Sequence, residues 1–153
     1  MKKLVIGILA ATLLFAAGCN KNTVTNLDTG AVADKLATTI KFSDQMSPMA
    51  EKTALKLFGL EKDAVTKLKA YESTGATAEE VAVFEAKDEA ACAIVKTAVQ
   101  HRIEDQRAGF KDYQPKEMAK LKAPVLVTKG KYIILCVSDD NQNAQKIING
   151  FIQ

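Results

Sequence analysis

The chain reads as an α+β domain: a four-stranded, mainly antiparallel sheet in the order hairpin, long helix, hairpin, packed by helices, with two N-terminal helices in front. Three observations predict it. Residues 65–73 and 80–87 read as two strands, their side chains falling into two alternating sets, on either side of a turn-forming stretch, 73–77. Residues from about 88 to 109 repeat apolar positions at helical spacing. Residues 124–128 and 131–138 flank Lys129-Gly130, a two-residue hairpin signal.

Each element has a local reason. Asp28-Thr29 offers an N-cap, and Val32, Leu36 and Ile40 recur every four residues, which makes a first short helix. Ser47-Pro48 signals a second helix start, followed by Ala54, Leu55, Leu57 and Phe58, with Gly59 placed as a C-terminal stop. In the first hairpin Leu68, Ala70 and Glu72 alternate with Lys67, Lys69 and Tyr71, and Val81, Val83 and Glu85 with Ala82 and Phe84. On the long helix Cys92, Val95, Val99, Ile103 and Phe110 fall within an arc of about 80°, and Asp112-Tyr113-Gln114-Pro115 breaks the pattern. Residues 116–122 make one more helical turn. Residues 132–137 are apolar on both alternating sets, so that strand is expected inside the sheet, covered on both faces. A final helix starts within 139–143 and turns Ala144, Ile147, Ile148 and Phe151 inward.

The N-terminus has the layout of a bacterial lipoprotein signal. Lys2 and Lys3 precede an apolar run from Leu4 to Ala17, and the small residues Ala16, Ala17 and Gly18 lead into Cys19. That run is shorter than the roughly 20 residues of a spanning helix and suits a signal core. The expected organisation is residues 1–18 as a removed signal, 19–27 as a lipidated tether with the diacylglyceryl group on Cys19, and 28–153 as one domain. Two acyl chains at about 0.8 kcal/mol per buried methylene hold a protein stably. The expected location is therefore the outer face of the cytoplasmic membrane.

Composition excludes some partners. The whole chain has 21 Lys+Arg against 18 Asp+Glu; without Lys2 and Lys3 the balance is 19 to 18, too even for nucleic acid to be expected as a partner. No glycine-rich phosphate loop, nucleophile elbow or zinc helix motif occurs, so no cofactor, metal or catalytic residue is expected. His101, the only histidine, falls on the polar face of the long helix. Asp139-Asp140 lacks the spacing of a calcium loop and reads as a helix cap. Glu79 and Glu80 point to opposite sides of the chain and cannot face one substrate together.

Cys92 and Cys136 are the cysteines that remain beside Cys19. Outside the cytoplasm they could form a disulfide or stand as two buried thiols; the bond needs α-carbons about 4.4–6.8 Å apart, which sequence does not fix. Arg102 and Gln106 flank or enter the apolar stripe, with Tyr113 just beyond. They read either as structural partners, with Arg102 reaching Glu85 or Asp112, or as a shallow surface for a ligand or partner.

From Gly59 onward the chain resembles a family of bacterial lipoproteins defined only as a domain of unknown function, frequent in Gram-positive anaerobes. The matching stretches are Ala76-Thr-Ala-Glu-Glu-Val-Ala-Val-Phe-Glu-Ala-Lys-Asp88, then Arg102, Gln106, Phe110, Tyr113 and Pro115, and the Gly130-Lys-Tyr132 turn. The resemblance implies a small envelope domain with no catalytic residue to carry over, in cell envelopes that often avoid disulfides. The expected role is a non-enzymatic binding or assembly module that contacts another envelope protein or a peptide. The alternative is an envelope hydrolase whose carboxylates only the fold brings together.

Overall fold

The computed structural model describes residues 26–152. The expected signal, Cys19 and most of the tether lie outside them. The architecture is α+β, with five antiparallel strands in one open sheet and five α-helices.

Helix α1, Thr29–Thr39, is capped by Asp28, whose carboxylate accepts from the Ala31 amide at 3.1 Å. Strand β1, Ser47–Pro48, stands where a helix start was expected, and it makes the sheet five-stranded rather than four-stranded. Proline disfavours helical backbone in the residue before it and is tolerated on a sheet edge. The Met49 amide then continues the pairing by donating to Ala70 O at 2.9 Å. Helix α2, Glu51–Phe58, follows, and Gly59 stops it in the left-handed conformation at φ 63°.

A 3₁₀ turn leads into β2, Val65–Glu72, and then β3, Glu80–Ala86. Helix α3 runs from Glu89 to Tyr113, a turn longer than the expected stretch. Gly109 keeps helical backbone and does not end it; the stop comes from Pro115, which pushes Gln114 out of the helix. Helix α4, Met118–Lys122, strand β4, Val125–Lys129, strand β5, Tyr132–Val137, and helix α5, Asn141–Ile152, complete the order. The β4–β5 turn is Gly130-Lys131, one residue later than expected, with Gly130 at φ 56° as its first central residue.

The strand order is β1-β2-β3-β5-β4. As expected, β5 is internal, and every residue of β3 and β5 is buried. The reason is a core on each face of the sheet. Ala82, Phe84, Ile133 and Leu135 pack with Phe58 of α2 and with Val95 and Val99 of α3; Phe58 meets Phe84 edge-on, ring centroids 5.0 Å apart. Val81, Val83, Ile134 and Cys136 pack on the other side with Val32 and Leu36 of α1 and with Ala144 and Ile148 of α5. Leu27 seals that second core, and its amide donates to Tyr132 Oη at 3.1 Å. Among the described residues no helix is long and apolar enough to cross a membrane.

Candidate functional site

Three places carry the polar chemistry of the domain. The first is a buried cluster at one end of the sheet, centred on Lys120 of α4. Its ammonium donates to Glu79 Oε1 at 2.9 Å and Glu117 Oε2 at 3.0 Å, and lies 3.5 Å from Asp139 Oδ2. Glu79 also accepts from the successive amides of Ser43 and Asp44 at 2.8–3.0 Å, and from Thr77 Oγ1 at 3.1 Å. Consecutive backbone amides turned one way make a small anion cradle, here filled by the protein's own carboxylate. Glu117 accepts in addition from the Ala78 amide at 3.0 Å. Burial alone would push Glu79 up; donors from Ser43, Lys120 and Asp44 outweigh it and hold the carboxyl below its ordinary range. Burial likewise opposes the charge on Lys120, but its two glutamate partners hold it protonated. The cluster gathers two buried carboxylates, Glu79 and Glu117, yet a shared ammonium occupies both.

The second place is the pair Glu80–Arg102, between the start of β3 and the middle of α3. Arg102 Nε donates to Glu80 Oε2 at 3.1 Å. The Glu80 side chain is 1% exposed and that of Arg102 19%. Burial pushes Glu80 up to about 7, against the charge and hydrogen bond of Arg102, and Glu72 pushes the same way. The expected partners of Arg102, Glu85 and Asp112, are not the observed one. Glu85 pairs with Lys67 and Lys131 instead, because α3 crosses the sheet with residue 102 above the start of β3 rather than its end.

The third is an open groove of about 770 Å³ between the last turn of α2 and one face of α3. Leu57, Ile94 and Ala98 give it apolar walls, and Lys56, His101, Arg102 and Asp105 ring it with charge and polarity. Ile94 is 58% exposed.

The residues singled out from sequence separate in the structure. Arg102 lines the groove. Gln106 is buried and reaches Ala78 O from Nε2 at 3.4 Å, with its Oε1 left without a partner. Tyr113 is 64% exposed, against Phe110, and eleven residues or about 16 Å along the helix from Arg102. These three do not form one surface. His101 is exposed, on the groove wall.

Cys92 and Cys136 are free thiols. The disulfide alternative does not occur: Cys92 packs with the α2–α3 core and Cys136 with the α1–α5 core, so the sheet lies between them. Burial pushes the Cys136 thiol up to about 12 and raises that of Cys92. Among the described residues no group of three His, Cys, Asp or Glu stands close enough to hold a metal ion.

Sequence reasoning missed Ser43, Asp44, Glu117 and Lys120. The signal that could have found Lys120 is a lysine among the apolar residues of a short amphipathic turn.

Neither curated proteins nor solved structures give a match to the chain. One family model matches residues 38–138, from the last two residues of α1 to the residue after β5. The chain therefore belongs to the DUF4358 family, a domain of unknown function.

Proposed function

We propose that the chain is a lipid-anchored, extracytoplasmic binding module, held at the outer face of the cytoplasmic membrane by acyl chains on Cys19. The observation that carries the binding role is the α2–α3 groove, where an exposed isoleucine and apolar walls adjoin a half-buried arginine. Sites that hold ligands combine an apolar lining with a few placed polar groups. The anchor rests on the signal layout ending at Cys19. Leu27 is buried, its amide donates to Tyr132 Oη, and it stands eight residues after Cys19. Eight residues of chain reach at most about 29 Å. A domain tied at Cys19 thus works close to the bilayer.

A non-enzymatic role suits Glu79, since a carboxylate saturated by an ammonium and several amides is a poor proton donor or acceptor. Labelling with a radioactive fatty acid tests the anchor. Wild type takes up label, whereas Cys19→Ala loses it and appears in the medium; label retained by that variant rules out this attachment. Crosslinking on intact membranes tests the module. A partner captured by wild type and lost with Ile94→Asp supports it, and repeated recovery of nothing counts against it.

A further inference from the structure

Arg102 faces two ways. Among the described residues, Glu80 is its one ion-pair partner, engaged through Nε, while the residue also lines the α2–α3 groove. Lys56 stands on the same walls, so two cations face a single carboxylate, Asp105, beside the apolar patch of Leu57, Ile94 and Ala98. The volume falls within the ~300–1,000 Å³ usual for small-ligand sites.

We propose that this groove binds a small amphipathic anion, an acidic head on an apolar body, with Arg102 receiving the head and Glu80 competing for the same guanidinium. The proposal rests on the binding-module reading and names its ligand class. Charge complementarity selects the head, and the exposed Ile94 on the same groove wall, about two helical turns from Arg102, selects the body.

Competition follows from the surroundings of Glu80. It lies opposite Glu72 in the β2–β3 ladder, a like-charged pair, and opposite the apolar Val137 of β5. Arg102 from α3 is the cation that faces it. A second anion on that guanidinium repels ionised Glu80 and tolerates the protonated form. Ligand binding and proton uptake by Glu80 are therefore coupled, and each strengthens the other by the same factor. The carboxyl titrates at about 7, so affinity rises as pH falls through neutrality.

The test uses hexanesulfonate, a six-carbon anion that stays ionised, titrated by calorimetry into the full-length protein in lipid nanodiscs, with empty nanodiscs subtracted. Affinity at about pH 6 is expected to exceed that at about pH 8 by about five-fold or more. Glu80→Gln is expected to keep the tighter affinity at both values, and His101→Gln to leave the pH dependence in place. Arg102→Leu is expected to abolish binding. Because that change strands a buried carboxyl, Arg102→Leu with Glu80→Gln serves as the folded control, and it too must lose binding. Saturable binding that survives in the double variant, a pH dependence that follows His101, or equal affinity for neutral hexanol overturns the proposal. So does no saturable binding at pH 6 by protein whose circular dichroism is native. A crosslinked partner indifferent to both Arg102 changes overturns this ligand assignment and leaves the module reading standing.

Discussion

Glu79 and Glu80 are neighbours in the chain, both with side chains 1% exposed, and they hold protons in opposite ways. Glu79 is held below the ordinary carboxylate range, whereas Glu80 is pushed up to about 7. Burial opposes the charge on both, and their hydrogen-bond partners differ. Glu79 accepts from Ser43, Asp44, Thr77 and Lys120, and Glu80 from Arg102. A buried carboxylate keeps its charge when its lone pairs are filled, and one cation through one nitrogen does not fill them. Position along a strand decides this: residue 79 ends the β2–β3 turn, within reach of three other segments, and residue 80 sits inside the ladder against a single helix face.

The first way to break the comparison is Lys120→Met. It leaves Glu79 and Glu117 buried without their cation, and removing one partner of a buried ion pair costs about 3–5 kcal/mol. Urea denaturation at pH 7 should show that loss, narrowing in acid as the stranded carboxylates take protons. A loss below about 1 kcal/mol would mean that the amides of Ser43 and Asp44 suffice.

Glu80→Gln probes the other side of the comparison. A group whose folded pKa is raised stabilises the protein most below its unfolded value, and that stability is lost as pH rises through the folded one. For Glu80, from the ordinary 4.5 to about 7, the loss is about 3 kcal/mol. The variant should flatten stability between about pH 5 and 8 by roughly that amount. An unchanged slope would place the titration elsewhere. Glu79 runs the other way: its contribution is present above the unfolded carboxylate value and fades as pH falls through the folded one.

What sequence could show follows from range. Strand β2 and helix α3 announce themselves by period, and β3 and β5 by short apolar runs beside turn signals, because all of these are local properties. The inner place of β5 was legible for the same reason, as Tyr132–Val137 is apolar on both sets. Strand β1 was not: it is two residues long, and its partners Tyr71 and Glu72 lie more than twenty residues away. The Lys120 cluster draws on positions 43, 44, 79, 117 and 139, which no window contains. Strand parity grouped Cys136 with Tyr132 and Ile134, and helix period grouped Cys92 with Val95. Which sheet face the helix takes is a tertiary choice, and it alone decides whether the two sulphurs could meet. The same choice of crossing gives Arg102 to Glu80 instead of Glu85.

The smallest effect extends the comparison to an uncharged donor. The Leu27 amide has Tyr132 Oη as its partner in a closed core, as Glu80 has Arg102. Tyr132→Phe preserves the ring and removes the acceptor, so about 1–2 kcal/mol should be lost, the cost of a buried donor left unpaired. The loss should be local. Hydrogen exchange at residues 27–32 should quicken while α3, on the far side of the sheet, keeps its protection. If the whole domain exchanges faster instead, this bond holds the two cores together, not just the first turn of α1. If nothing changes, Leu27 is held by its burial alone, and the fixed point of the tether moves to the Asp28 cap.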